Sequence, residues 1–267
     1  MNFGEKIFII GFNKCGTRAF HEFFIANGLS GVHWDNNNLA LSMWDQISAG
    51  KDPIGRYPDV QVFSDMECVS DLSIRPLEIY LHFRDLYKWY PDATYILNTR
   101  SPDRWIISRI YHLDGDLLEC WKHHYGTRDV LGVIDRWRQS WAAHHADVRN
   151  FFADKPGSYL EYNLDMDKPQ KLSQHFAKEL SLNPSLFKTV GKSNMTPVWE
   201  MGDIDEAIAA QHAVLDIDPE FAGAHGILSL IAERQGDRAK SLYHAEQANR
   251  LMPENRNYQH NLKRLQP

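Results

Sequence analysis

The residues best suited to chemistry lie near the start of the chain, in the segment Gly11-Phe-Asn-Lys-Cys-Gly-Thr-Arg18. Small residues after a buried strand let several backbone N–H groups converge on one anion, and the following helix adds its positive amino end. Lys14 contributes a mobile full charge. The segment therefore predicts a phosphate-binding loop. It departs from the ATP-binding pattern GxxxxGK[ST], because Thr17 stands where that pattern has lysine and Lys14 lies before Gly16.

A second segment with anion-binding character is Arg100-Ser-Pro-Asp-Arg-Trp-Ile-Ile-Ser108, which follows the apolar run Thr94 to Thr99. We expect Arg100 to extend from the carboxyl edge of a strand and Ser108 to lie on the helix that follows. A guanidinium and a hydroxyl placed in this way hold a phosphate group by charge and hydrogen bonding.

Taken together, the two segments resemble the nucleotide-binding motifs of sulfotransferases that use 3′-phosphoadenosine 5′-phosphosulfate (PAPS). Their 5′-phosphosulfate loop is typically Lys-small-Gly-Thr, which is Lys14-Cys15-Gly16-Thr17 here. Their 3′-phosphate pattern is similar to R-x-P-x-D/E-x-x-x-S, and this chain matches its arginine, proline and serine. Trp105 resembles the bacterial branch with R-x-P-x-x-W. The resemblance covers roughly residues 5 to 195.

The resemblance implies sulfuryl transfer from PAPS to a hydroxyl or amine of a small-molecule, carbohydrate or lipid acceptor. Adenosine 3′,5′-bisphosphate would be the product, and no metal is expected, because a sulfuryl group carries less charge than a phosphoryl group. Lys14 would also stabilise the charge that builds on the leaving group. The predicted cofactor-binding residues are Asn13, Lys14, Cys15, Gly16, Thr17, Arg18, Arg100, Ser108 and Lys192.

A general base must accept the proton of the acceptor, and the motifs do not assign it. The candidates follow the second and third strands, where their side chains would lie beside the loop. They are His33, Asp35, Asp65 and Glu67. We favour Asp65, because relatives of this branch resemble the chain in having an aspartate after the third strand.

Two other functions are open at this point. One is a small-molecule or nucleotide kinase on the same type of sheet, in which Asp65 would hold a metal. The displaced lysine and the Arg100–Ser108 pair argue against it. The other is a non-catalytic nucleotide-binding adaptor whose helical tail binds a peptide.

The elements that must position these residues alternate along the chain. Strands are predicted near residues 6–11, 31–35, 60–65, 94–99 and 158–162. Helices are predicted between them, including one over residues 74–90 that ends before Pro91 and a long one over 130–152. This alternation predicts an α/β domain over residues 1–196, a P-loop-type three-layer α/β/α fold with a mainly parallel sheet.

The remaining segment, residues 197–267, contains no strand-like run. Gly202-Asp203 recurs as Gly236-Asp237, and Pro219-Glu220 recurs as Pro253-Glu254, each after 34 residues. This is the period of tetratricopeptide helical hairpins, so we predict a small all-α extension resembling them. It would bind a protein partner, mediate self-association or pack on the main domain.

Composition limits the remaining classes of function. The chain has 29 Lys+Arg and 35 Asp+Glu, a net charge of −6, which argues against nucleic-acid binding. Its three cysteines show no metal-binding or disulfide spacing. The amino-terminal apolar run is too short for a signal peptide or membrane helix, so we expect a cytoplasmic protein.

Two pairs of adjacent histidines, His123–His124 and His144–His145, draw attention as possible metal ligands. Adjacent residues of a helix diverge by about 100°, so one pair cannot converge on a single ion. We therefore predict surface histidines.

Overall fold

The computed structural model describes residues 6–155, 159–188 and 204–266. The chain divides into two compact units. The sheet unit comprises the described residues within Met1–Trp105 and Trp137–Lys192, and the helical unit those within Ile106–Arg136 and Ser193–Pro267. The predicted domain boundary at residues 196–197 lies outside the described residues, so it stays a prediction.

The strands in the described residues are β1 (Ile7–Ile9), β2 (Gly31–His33), β3 (Val62–Ser64), β4 (Glu67–Cys68), β5 (Leu77–Glu78), β6 (Thr94–Thr99) and β7 (Tyr159–Asn163). Five of them form one sheet in the order β2-β3-β1-β6-β7, and every neighbouring pair is parallel. The carboxyl ends of all five strands therefore meet at one edge. The predicted α/β fold with a parallel central sheet is confirmed.

The helices are α1 (Thr17–Ala26), α2 (Asn38–Ser48), α3 (Phe83–Trp89), α4 (Pro102–Ile110), α5 (Asp116–Tyr125), α6 (Val130–Phe152), α7 (Gln170–His175), α8 (Ile204–Ile217), α9 (Ala222–Arg234), α10 (Arg238–Leu251) and α11 (Arg256–Leu265). Short 3₁₀ turns lie at Ile79–His82, His112–Gly115 and Pro184–Leu186. The predicted long helix over residues 130–152 has these bounds in the structure.

Strand β1 shows how the sheet acquires two buried faces. Successive side chains of a strand point to opposite sides. Ile7 and Ile9 belong to a core cluster with Phe20 and Phe24 of α1, which covers one face. On the other face Phe8 stacks on aromatic rings of β3 and β6 at centroid distances of 5.1 and 5.4 Å. Full burial of each such side chain stabilises the fold by about 1.5–3 kcal/mol.

The helix predicted over residues 74–90 is wrong in its first half. Leu77–Glu78 forms strand β5, which pairs antiparallel with β4, and a 3₁₀ turn leads into the shorter helix α3. Apolar residues in this segment recur at helical spacing, but pairing of Glu78 with Glu67, eleven residues earlier, decides the conformation.

The helical unit joins the chain's last four helices to segment 106–136. Tyr111 donates a hydrogen bond to Gln211 of α8, and both side chains are buried. Lys122 of α5 and Arg128 pair with Glu206 at the start of α8. The described part of the tail thus packs on helix α5 and its neighbours within this unit.

The four helices of the tail carry the predicted repeat. Helix α10 begins at Arg238, 34 residues after Ile204 begins α8, and α11 begins at Arg256, 34 residues after Ala222 begins α9. The resemblance to tetratricopeptide hairpins stays a prediction. Within residues 6–155, 159–188 and 204–266, no helix combines the length and apolar character that crossing a membrane requires.

Candidate active site

The loop between β1 and α1 has a backbone shaped for an anion. Lys14 and Gly16 have positive φ angles of 61° and 82°, which turn successive N–H groups toward one side. Gly16 is the N-cap of α1, and no side chain in the described part of the chain caps that end. The first amides of α1 and the positive end of its dipole are therefore directed at the loop.

A buried side chain of the neighbouring strand β6 fixes the loop by hydrogen bonds to its backbone. Asn98 of β6 accepts a hydrogen bond from the Gly11 amide at 2.7 Å. Its Nδ2 donates to the carbonyls of Phe12 and Cys15 at 3.3 and 3.1 Å. A Cβ atom at Gly11 would lie 2.0 Å from the Asn98 carbonyl oxygen, so only glycine fits there.

Arg100 joins the second motif to the loop. It follows β6, and its Nη1 donates to the carbonyl of Lys14 at 3.1 Å. Its Nη2 lies 3.6 Å from Asp165, which follows β7 and also contacts Arg104. Trp105, fully buried on α4, donates to the Asn13 carbonyl at 3.0 Å.

The guanidinium of Arg100 has binding capacity left for a phosphate group. Its Nε is buried and has no hydrogen-bond partner among the described residues. A buried donor in this state costs free energy, which a charged oxygen would recover. The loop and Arg100 therefore fit a nucleotide with two separate anionic groups.

Asp65 stands at the other side of the loop, directly after β3. Its Oδ1 accepts a hydrogen bond from the Thr17 hydroxyl at 3.3 Å, and its Oδ2 lies 3.5 Å from Nε2 of His33. Nδ1 of His33 faces the Ser64 hydroxyl at 2.9 Å. The structure thus brings two of the candidate bases into contact beside the first residue of α1.

Burial separates the acidities of these two groups. It raises the pKa of Asp65 to about 6, although the Thr17 hydrogen bond and the Lys14 and Arg18 charges oppose the rise. It lowers the pKa of His33 to about 4, and the charge of Arg18 acts in the same direction. At neutral pH the imidazole is neutral and the carboxylate is ionised, so Asp65 is the stronger proton acceptor.

Glu67, the third candidate base, has a different environment. It is 7% exposed, and its Oε1 accepts a hydrogen bond from Asn13 Nδ2 at 2.6 Å. Its Oε2 accepts from the Tyr80 hydroxyl at 3.1 Å. Both carboxylate oxygens are therefore engaged, Oε1 with the loop residue Asn13 and Oε2 with Tyr80 of the 3₁₀ turn.

The other predicted site residues differ in their exposure and contacts. Arg18 is exposed and pairs with Glu22 at 3.9 Å. The Cys15 side chain is buried, its amide donates to the Phe12 carbonyl at 3.4 Å, and its carbonyl accepts from Asn98, so Cys15 shapes the loop from within. Ser108 is half-buried on α4. Lys192 lies outside the described residues.

The prediction of surface histidines is wrong for one of the two pairs. His144 and His145 of α6 are buried, at 5% and 0% exposure. His144 Nε2 donates to the Ile10 carbonyl at 2.7 Å, and the hydroxyl of Thr99 lies 2.8 Å from His145 Nε2. The two rings point to the ends of different strands, so they cannot bind one ion together. The divergence of adjacent side chains was therefore expected correctly, but both side chains are buried and not on the surface.

Comparison with known protein families favours one of the open functions. Residues 6–122 match a family model described as a sulfotransferase domain. The chain matches no curated protein and no solved structure. The matched sulfotransferase domain contains the phosphate loop, Asp65, Arg100 and Ser108.

Sequence reasoning missed several residues that shape this sulfotransferase site. Asn98 carried a signal, because it is the one amide in the otherwise apolar and threonine-containing run Thr94 to Thr99. Asp165 also carried one, because it follows a predicted strand at the same edge as Arg100. Nothing in the sequence pointed to Tyr80, whose contact with Glu67 depends on the small β4–β5 sheet.

Substitution of Gly11 tests the loop geometry. Gly11→Ala forces a methyl group onto the Asn98 backbone, so we expect the free energy of unfolding to fall by about 2 kcal/mol or more. Gly55→Ala is the matched control, because its Cβ would meet nothing closer than 3.4 Å and its φ is not positive. Urea denaturation measures both, and equal effects would contradict the close approach.

Proposed function

We propose that this chain transfers a sulfuryl group from PAPS to a hydroxyl or amine of a small-molecule, carbohydrate or lipid acceptor. The observation that carries the proposal is the hydrogen bond from Arg100 to the Lys14 carbonyl. It links the two motifs, 86 residues apart in sequence, at one edge of the sheet. The match of residues 6–122 to a sulfotransferase domain model supports the same reaction class.

Binding of the donor follows from the distribution of positive groups. The amides of Lys14, Gly16 and Thr17 and the Lys14 ammonium hold the 5′-phosphosulfate, while the Thr17 hydroxyl donates to Asp65. Arg100 holds the 3′-phosphate, and its unpartnered Nε supplies one donor. Ser108 stays a predicted contact of the same phosphate. Arg18 and Lys192 stay predicted contacts.

When bound, PAPS supplies an electrophilic sulfur and a leaving group, adenosine 3′,5′-bisphosphate. The chain's part is electrostatic. Lys14 and the loop amides stabilise the negative charge that develops on the 5′-phosphate side, because they are already oriented before the reaction. Asp65 accepts the proton of the attacking hydroxyl.

Among the four candidate bases we favour Asp65. Its pKa of about 6 makes it ionised at neutral pH yet about two pKa units more basic than His33. His33 would then orient the Asp65 carboxylate through Nε2, and Glu67 would position Asn13. A location in the cytoplasm and a protein partner for the helical tail stay predictions.

The first prediction concerns nucleotide selectivity. Adenosine 3′,5′-bisphosphate raises the melting temperature of the wild-type protein, and it binds at least about tenfold more tightly than adenosine 5′-phosphate because Arg100 contacts the extra phosphate. Arg100→Ala abolishes most of this difference. Titration calorimetry with both nucleotides measures it.

The matched control is Arg256→Ala, an exposed arginine at the start of α11, which should leave both affinities unchanged. ATP with magnesium forms a second arm. A shift in melting temperature with ATP and magnesium, and none with the bisphosphate, would instead favour the kinase.

The second prediction separates binding from catalysis at Lys14. Lys14→Ala lowers kcat by about 10²–10³-fold, while affinity for adenosine 3′,5′-bisphosphate changes by less than about fivefold, because the lysine acts mainly on charge that develops in the transition state. The rate is measured as release of adenosine 3′,5′-bisphosphate from PAPS. Water serves as the acceptor when no other acceptor is added. Lys51→Ala, at an exposed site, is the control. Equal losses in both quantities would argue against this role.

The third prediction is a pH profile. Asp65 must be ionised to accept a proton, so the rate falls about tenfold per pH unit below about pH 6. Asp65→Asn removes this acid limb together with most of the rate. If His33 were the base, the limb would lie near pH 4 and His33→Ala would remove it.

A further inference from the structure

Two arginines of the second motif share one carboxylate. Oδ1 of Asp165 lies 3.2 Å from Nη1 of Arg104 and 3.6 Å from Nη2 of Arg100. Oδ2 of the same side chain accepts a hydrogen bond from the Ser101 amide at 2.9 Å. In the part of the chain that the structure describes, no other carboxylate forms an ion pair with Arg100. Asp165 therefore decides how much of the Arg100 charge a phosphate group can use.

The backbone holds Asp165 in this place. The Leu164 amide donates to the Thr99 carbonyl at 2.8 Å, and the Asp165 amide donates to Oδ1 of Asn163 at 2.9 Å. Together with the Ser101 bond, these contacts tie the turn after β7 to the end of β6. The Asp165 side chain is 16% exposed. The carboxylate therefore has a fixed place in the site, and its negative charge has to be balanced there.

The two arginines are not equivalent partners of Asp165. Arg104 lies on α4, four residues after Arg100, and its Nη1 donates to Oδ1 in a hydrogen bond of 3.2 Å. The 3.6 Å between Oδ1 and Nη2 of Arg100 is too long for a hydrogen bond. Arg104 thus occupies the carboxylate oxygen that Arg100 would otherwise bind.

Arg100 contacts the phosphate loop and keeps one nitrogen for a ligand. Its Nη1 donates to the Lys14 carbonyl at 3.1 Å, while its Nε is buried and has no hydrogen-bond partner among the described residues. A full ion pair with Asp165 would draw the guanidinium toward the carboxylate and neutralise its charge. A phosphate would then meet a weaker cation beside a group of like charge, and its binding would be weaker.

We propose that Arg104 is a positioning residue for donor binding: it binds the Asp165 carboxylate and so leaves the charge of Arg100 for the 3′-phosphate. This inference rests on the proposed sulfotransferase function. Arg104 acts through Asp165 and does not touch the nucleotide. Its effect is therefore confined to nucleotides that carry the 3′-phosphate, and it raises the selectivity of the site for them.

Exposure limits the size of this effect. The Arg104 side chain is 67% exposed, so water and salt screen its attraction to Asp165. We therefore expect a change of a few-fold in nucleotide affinity. An arginine that bound the phosphate directly would give a change of the same sign. The two roles are separated by removing the charge of Asp165.

A double-mutant cycle tests the proposal. Titration calorimetry measures the affinity of the full chain for adenosine 3′,5′-bisphosphate and for adenosine 5′-phosphate. Arg104→Ala weakens binding of the bisphosphate by about fivefold and changes that of the 5′-phosphate by less than about twofold. Asp165→Asn keeps an oxygen for the Ser101 amide but carries no charge, so it binds the bisphosphate at least as tightly as wild type. In the Asp165→Asn background, Arg104→Ala has an effect of less than about twofold.

Two further variants serve as controls. Arg138 is exposed and lies 3.9 Å from Asp103 on the same helix as Arg104, so Arg138→Ala removes one positive charge near α4 without touching Asp165. It should leave both affinities within about twofold of wild type. Arg104→Lys keeps a charge that pairs with Asp165, so it should also stay within about twofold.

Failure of the inference and failure of the proposed function are distinguishable. If Arg104→Ala weakens bisphosphate binding equally in both backgrounds, Arg104 contacts the phosphate directly and the inference is overturned. It is also overturned if Arg104→Ala has no effect or weakens both nucleotides equally, or if Asp165→Asn alone weakens bisphosphate binding. In all these cases the bisphosphate still binds the wild-type protein, so the proposed function stands. If the wild-type protein does not bind it, both fail.

Discussion

One buried amide holds the phosphate loop in shape. Asn98 uses its carbonyl oxygen on the Gly11 amide and its two N–H groups on the Phe12 and Cys15 carbonyls, so its hydrogen-bonding capacity toward the loop is fully used. An unpaired buried amide would cost about 1–3 kcal/mol. The loop can therefore relax only at the expense of several bonds at once, and this keeps its N–H groups directed at an anion.

Two helices support the same region. His144 of α6 binds the Ile10 carbonyl at the start of the loop, and His145 contacts Thr99, the residue before Arg100. Trp105 of α4 binds the Asn13 carbonyl in the middle of the loop. Burial lowers the pKa of His145 to about 4, so this ring is neutral at neutral pH and its contacts persist across the physiological range. These side chains position the site although none of them is expected to touch the donor.

Much of the fold follows from local patterns in the sequence. Apolar runs such as Ile7 to Ile10 can be stable only as buried strands, and a helix begins at Pro102 because proline lacks the N–H that the first turn leaves unused. The phosphate loop and the Arg100 motif could also be predicted, because the residues of each motif lie close together in the sequence. The β4–β5 pair was missed because each strand is only two residues long and so leaves no alternating pattern in the sequence.

The proton acceptor shows a second limit of sequence reasoning. Asp65, His33 and Glu67 are equivalent when judged by their distance from predicted strands. What separates them is burial and the partners each one meets, above all the Asn13 and Tyr80 contacts that occupy Glu67. These quantities depend on packing of the whole sheet edge, so they enter only with the structure.

The turn at residues 34–37 has a consequence for how such a protein diversifies. Its bracing comes in part from Tyr57 and Ser70, which lie outside the segment from Gly11 to Arg18. Exposed positions such as Asp35 and Asn36 can thus accumulate substitutions while the Asn98 bonds stay intact. The bonds that brace this turn and the bonds that Asn98 makes share no residue, so the two parts of the chain can vary independently of each other.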